Sequence, residues 1–220
     1  MVWKKILHIL FCISWFTSYN LYSQSLSGSQ LDSLSATERL KAIYRKYHKT
    51  FELTNKNDNP VILTMNKDFR INPISAYCGV SLYYLCKQAG FELDIPKKEA
   101  PVARNWGLHG EVVWSQYNGW KEGIKRTPSK DEIFVILFNY NGRNHVGVIL
   151  AFHGGLNFVT GEGNTSDTGV RKTGFEYFNN SVSKRKDIYM LKLGRQGIYS
   201  CKERYNPVGL YKIIKYKIKQ

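Results

Sequence analysis

No stretch of this 220-residue chain approaches 18 consecutive apolar residues, so the sequence predicts no membrane-spanning helix. Internal repeats are absent, and the only biased block is the Ser-, Gln- and Gly-rich stretch 25–36, which reads as a spacer. Nothing in the length points beyond one well-packed domain. Acidic residues are scarce: 17 Asp and Glu face 32 Lys and Arg, for a formal net charge of +15. The chain has four cysteines, too few for a disulfide scaffold. His109 and His153 lack the spaced cysteines or carboxylates of a zinc site, so no metal is expected. Gly161-Glu162-Gly163-Asn164-Thr165 lacks the lysine of a phosphate-binding loop. No cofactor is implied.

What is present begins with a secretory signal. Lys4 and Lys5 precede an apolar run at 6–15 that is too short to cross a bilayer, and Ser23 offers a small residue at a cleavage point after residues 1–24. An uncleaved N-terminal anchor is the alternative. Phe11 before Cys12 argues against lipidation of that cysteine. The expected location is secreted or periplasmic, with membrane contact only through the signal. Loss of Lys4 and Lys5 takes the charge from +15 to +13. That balance suits a polyanion, and export favours an acidic cell-wall polymer over nucleic acid. A basic surface serving solubility alone is the plain alternative.

Fifteen tyrosines, eleven phenylalanines and five tryptophans argue for a folded chain. Leu40, Ile43, Tyr44 and Tyr47 repeat with helical spacing behind Ser35, predicting a helix over about 36–50. Residues 54–61 read as a polar loop. Residues 75–90 read as one helix, apolar nearly all round and closed by Gly90, hence central and buried. Apolar runs at 133–138, 145–152, 156–160 and 188–193 read as strands. Helices followed by an antiparallel meander make the class α+β. The predicted layout is a signal at 1–24, a helical or linker extension at 25–70, a main domain at 71–194, and a basic tail at 195–220. Alternation of apolar and basic residues from 211 to 220 suits an edge strand blunted by lysines, or a polyanion-binding tail.

Three cysteines remain after export: Cys78, Cys86 and Cys201. An odd count suggests one free thiol. Eight residues of helix separate Cys78 from Cys86 by about 12 Å, too far for a disulfide, whereas Cys86 with Cys201 stays open. Cys78 lies where helix-terminal N–H groups favour a thiolate. If residues 153–156 form a two- or four-residue turn, positions summing to 309 face each other. Gly147 then opposes Glu162, leaving it room, and His145 opposes Asn164. Those three polar side chains would share one face, within reach of one another. A thiol, a histidine to take its proton and a polar group to orient the histidine are the parts of a cysteine nucleophile.

Tyr77-Cys78-Gly79-Val80-Ser81, continuing to Lys87-Gln88-Ala89-Gly90, resembles the nucleophile helix of the CHAP family (cysteine, histidine-dependent amidohydrolase/peptidase). Asn144-His145-Val146-Gly147-Val148-Ile149 resembles its histidine strand. Gly161-Glu162-Gly163-Asn164 resembles its Glu-Gly-Asn motif. Two departures stand out: Ser129-Lys130-Asp131-Glu132 replaces the usual glycine-aspartate after Pro128, and Gly79 stands where alanine is more usual. The likeness covers about 73–193. It implies a papain-like fold with a nucleophile helix packed on an antiparallel sheet, and a monomeric hydrolase cutting amide bonds of bacterial peptidoglycan. Cys78 would be the nucleophile and His145 the base. Glu162 would orient the imidazole, and Asn164 would assist at the oxyanion or share the orienting role. Tyr77, Trp106 and Trp114 are candidate substrate contacts, although the tryptophans could equally be core. The rival functions are a wall-binding protein without catalysis and an acyl transferase acting on protein amides.

Overall fold

Side-chain caps set the starts of the first two helices. The Ser35 hydroxyl accepts the Glu38 N–H (3.3 Å) and opens α1 (Ala36–Tyr47), with Arg45 and Lys46 in its last turn. Ala36, Leu40 and Tyr44 form its buried stripe. The Asn59 side chain accepts the Val61 N–H (2.9 Å) and opens α2 (Pro60–Asp68). Its start lies inside the stretch expected to be a loop. Asn-Pro reads as a loop signal, but proline in the first turn gives up an N–H that has no helical partner anyway. The third helix, α3 (Cys78–Gln88), begins three residues later than expected. A short 3₁₀ turn follows at Ala103–Gly107.

The computed structural model describes residues 33–48, 50–52, 57–73, 75–125, 127–140, 142–166, 196–205, 207 and 209–219. Eight strands form one antiparallel sheet: β1 (Thr50–Phe51), β2 (Glu111–Ser115), β3 (Gly119–Trp120), β4 (Glu132–Tyr140), β5 (Arg143–Gly154), β6 (Asn157–Ser166), β7 (Gln196–Tyr205) and β8 (Leu210–Lys217). Their order is β1-β7-β6-β5-β4-β8-β2-β3. The class is α+β; β4, β5 and β6 are the first three strands of the expected meander, and β7 extends it from within the stretch expected to be a tail. The strand expected at 188–193 lies outside the described residues, as do the signal and most of the spacer.

The tail is not an edge. β8 sits between β4 and β2, near the middle of the sheet. One of its lysines is matched by acids on both neighbours: Lys215 Nζ lies 2.6 Å from Glu111 on β2 and 3.7 Å from Glu132 on β4. Ile213, Ile214 and Tyr216 fill the cores on its two faces. All described elements belong to one compact unit, Ser35–Gln220, so the boundaries expected at 70 and 194 do not divide the fold.

The run at 133–138 is apolar on both faces because both are covered. Ile133, Val135 and Leu137 meet the helices, together with Val146, Val148 and Leu150 of β5. Phe134, Ile136 and Phe138 meet Val113, Trp114, Ile149 and Phe158 on the other side. No helix covers that second core; the sheet curls over it. Trp120 on edge strand β3 packs against Phe152 of β5, with ring centroids 6.0 Å apart and three strands lying between them in the sheet.

On the helix side, β6 lies directly against α1. A Cβ on Gly161 would stand 2.8 Å from ring carbons of the buried Tyr44. Gly161→Ala should therefore lower stability by about 1–3 kcal/mol, seen as an earlier urea midpoint with the same slope. An unchanged midpoint would mean that the ring can move aside.

Candidate active site

Cys78 is the first residue of α3, and its N-cap, Tyr77, makes no side-chain capping bond. The first-turn N–H groups are thus not drawn off by a cap and leave partial positive charge beside the thiol. The backbone leading into the helix is held by a polar latch from the N-terminal part of the chain. The buried Tyr77 hydroxyl donates to Glu52 Oε1 (3.0 Å), and Glu52 Oε2 accepts the Asn57 N–H (3.0 Å). The Asn57 amide then donates to the carbonyls of Pro73 (3.0 Å) and Ser75 (2.7 Å). On the far side of Cys78, a Cβ on Gly79 would overlap the Ala100 carbonyl oxygen, which accepts the Trp106 Nε1–H (2.9 Å). This is why alanine does not fit at position 79: the segment at 100–106 lies too close to the helix start.

His145 opens β5 opposite Phe138 of β4. The β5–β6 ladder pairs Gly147 with Glu162, Val148 with Gly161 and Ile149 with Thr160. The expected register holds at the site, but the turn does not produce it. Gly154 pairs with Asn157, and two register shifts, between Ile149 and Ala151 and between Phe152 and Gly154, restore the alignment. Gly147 is needed there: a Cβ would stand 2.8 Å from Glu162 Cγ. The ladder ends at this pair, and the N–H of Val146, one residue nearer the strand start, turns to the Cys78 sulfur.

Glu162 is completely buried. Its Oε2 lies 2.9 Å from Nε2 of His145, which leaves Nδ1 of the ring to face the thiol. The same oxygen accepts Arg204 Nη2 (2.6 Å), while Oε1 accepts Arg204 Nε (2.9 Å) and the Thr160 hydroxyl. Asn164 does not take the place expected for it. It adopts a left-handed backbone (φ 54°), the β6–β7 ladder slips between Glu162 and Thr165, and no pair forms between Asn164 and His145. Among the described residues, Glu162 is the side chain placed to orient the ring.

The electrostatics follow from these contacts. Burial pushes the Cys78 thiol up, but the hydrogen bond and charge of His145, with the N–H groups of Val146 and Gly79, outweigh it and leave the pKa lowered. Burial disfavours the His145 cation, yet Cys78 and Glu162 on its two sides raise its pKa to about 9. The two shifts run in opposite directions, and both favour a thiolate beside an imidazolium over the neutral pair. Cys86, deeper in the same helix, is free and is pushed up by burial alone, so the Cys86–Cys201 bridge left open by the sequence is not formed.

The three aromatic residues expected to contact substrate do not. Tyr77 and Trp106 are fully buried in the helix-side core, and Trp114 is buried in the core on the opposite face. Each is core because its neighbours complete it: Glu52 for Tyr77, the Ala100 carbonyl and the Tyr216 ring for Trp106 (centroids 5.7 Å), and the curled sheet for Trp114. Sequence reasoning missed Glu52, Thr160 and Arg204. The Lys202-Glu203-Arg204 run looks like a solvated surface, and only its place opposite Phe158 in β7 reveals Arg204 as inward-facing. Among the described residues, no group of three His, Cys, Asp or Glu side chains could hold a metal ion.

Compared with family models, curated proteins and solved structures, the chain finds no match. The site is therefore read from its own chemistry. Iodoacetamide should label Cys78 well below pH 8 while leaving Cys86 untouched, as peptide mass spectrometry would resolve. A Cys78 labelling curve centred near the ordinary thiol value of about 8.5 would refute the ion pair.

Proposed function

We propose that the chain is an exported cysteine hydrolase of papain-like architecture that cleaves amide bonds of bacterial peptidoglycan. The observation that carries the reading is the Cys78–His145–Glu162 array: a helix-terminal thiol, an imidazole facing it, and a buried carboxylate 2.9 Å from the ring's other side. Support for the substrate comes from the order of the three motifs, their likeness to the CHAP family, the signal-like N-terminus, and a +15 charge suited to an acidic polymer.

In this mechanism the Cys78 thiolate adds to the carbonyl carbon of the amide. The developing oxyanion is met by the Cys78 N–H at the positive end of α3. His145 gives its proton to the departing amine as the C–N bond breaks, leaving an acyl-thioester on Cys78. The now neutral His145 takes a proton from water, hydroxide adds to the thioester, and the carboxylic acid leaves as the thiol is restored. Glu162 keeps one ring nitrogen occupied throughout, so the other always faces the reaction. Cys78 is 4% exposed, which suits a narrow substrate.

Digestion of purified sacculi, read by mass spectrometry, tests the reading and identifies the bond. The wild-type protein should release fragments with a new amine and a new carboxyl terminus, and Cys78→Ala should release none. The rate should fall as pH rises through about 9, where His145 loses the proton the leaving amine needs. Identical fragments from wild type and Cys78→Ala would refute the nucleophile.

A further inference from the structure

A cysteine–histidine pair with an orienting carboxylate does not by itself require a second cation, yet Arg204 grips Glu162 from behind. Nε and Nη2 reach the two carboxylate oxygens at 2.9 and 2.6 Å, a two-point contact that fixes the plane of the carboxylate as well as its place. Arg204 is itself held. Its guanidinium lies over the Phe138 ring, 5.1 Å from the centroid, and hydrogen-bonds to Tyr140, while its strand position faces Phe158. Phe138 in turn pairs with His145 across β4 and β5. The side chains around the carboxylate come from four adjacent strands: Tyr140 and Phe138 from β4, His145 from β5, Thr160 and Glu162 from β6, and Arg204 from β7. Tyr44 on α1 and Cys78 on α3 add their electrostatic influence from the helix side.

We propose that Arg204 is a positioning residue for the dyad, holding Glu162 charged and aimed at Nε2 of His145 while the imidazole gains and loses its proton; this rests on the reading of Cys78 and His145 as nucleophile and base. The reason is charge balance in a buried place. When His145 gives its proton to the leaving amine, the buried Glu162 loses the cation on one side, and without the Arg204 cation on the other the carboxylate would capture the proton instead. Arg204 supplies the compensating charge in both halves of the cycle. Glu162 therefore stays an electrostatic guide and never competes with the substrate for the proton. The two-point fork explains an arginine here, because lysine could match the charge but not hold the plane.

The test is the pH profile of Cys78 alkylation by iodoacetamide in the full chain, comparing wild type, Arg204→Met, Arg204→Lys, Glu162→Gln and the double variant Glu162→Gln/Arg204→Met, with thermal melts alongside. Arg204→Met should move the labelling curve to higher pH and slow labelling at pH 6 about tenfold, the effect of one unit in the thiol pKa. Arg204→Lys should move it in the same direction by less. In the Glu162→Gln background, Arg204→Met should change the rate by less than about twofold, because its effect runs through the carboxylate. A labelling curve for Arg204→Met that superimposes on wild type, whatever its melting temperature, overturns the proposal. Should Arg204→Met not fold, an Arg204→Lys curve identical to wild type overturns it equally. A wild-type curve like that of an ordinary thiol overturns both this proposal and the reading beneath it, so the two failures are told apart.

Discussion

A carboxylate with no solvent exposure cannot remain charged unless cations and donors replace the water it has lost. Glu162 is such a group, and the site is organised around how its charge is met. Arg204 meets it from one side, His145 from the other, and Thr160 fills the remaining position on Oε1. Charging His145 in this way lets it stabilise the Cys78 thiolate. Four groups of alternating sign then run from α3 through β5 and β6 to β7. Their sum is neutral, so the row can stay buried, but loss of any member strands a neighbour. Breaking one partner of a buried pair typically costs about 3–5 kcal/mol. The row is thus a poor contributor to net stability and a strong constraint on which arrangement is native.

Backbone without side chains makes that arrangement possible. Gly147 opens room for the Glu162 stem, and Gly161 lies flat on Tyr44. Gly163 leaves the space that the Ser81 side chain of α3 needs, since a Cβ there would overlap its hydroxyl. Together they let β6 touch both helices with one face while presenting Glu162 on the other. The Glu-Gly-Asn motif is therefore as much a packing device as a chemical one. At the helix start, Gly79 and the Glu52–Asn57 latch hold the approach to Cys78 from two sides. Glu52 and Asn57 thereby order the backbone that leads into Cys78, although they lie well before it in the chain.

Much of this was legible in the residues. The apolar run at 133–138, the first three strands of the meander and the helix-borne Cys78 follow from period and spacing, whereas the Gly147–Glu162 pairing depends on two register shifts that spacing does not show. Other features were hidden for identifiable reasons. Pro60 disguised a helix start as a loop, because proline signals both. Lysines on β8 suggested an edge, since the acids that match Lys215, Glu111 and Glu132, are 104 and 83 positions away in a sequence that shows no pairing between them. Arg204 was hidden by its charged neighbours, and Glu52 by the 25 positions that separate it from Tyr77. In each case a long-range partner overrode the local signal. Trp106 and Trp114 erred the opposite way: aromatic residues that suited a groove were claimed by the core, where burial of such large side chains stabilises most.

The central claim is that His145 is held as a cation by the groups on either side of it. An NMR titration of the imidazole across about pH 5–10 reads this directly, without substrate or label. His145 should remain protonated through neutral pH and lose its proton near 9, and Cys78→Ala should bring that value down by removing the thiolate partner. A His145 that titrates near 6.5, unaffected by Cys78→Ala, would contradict the account.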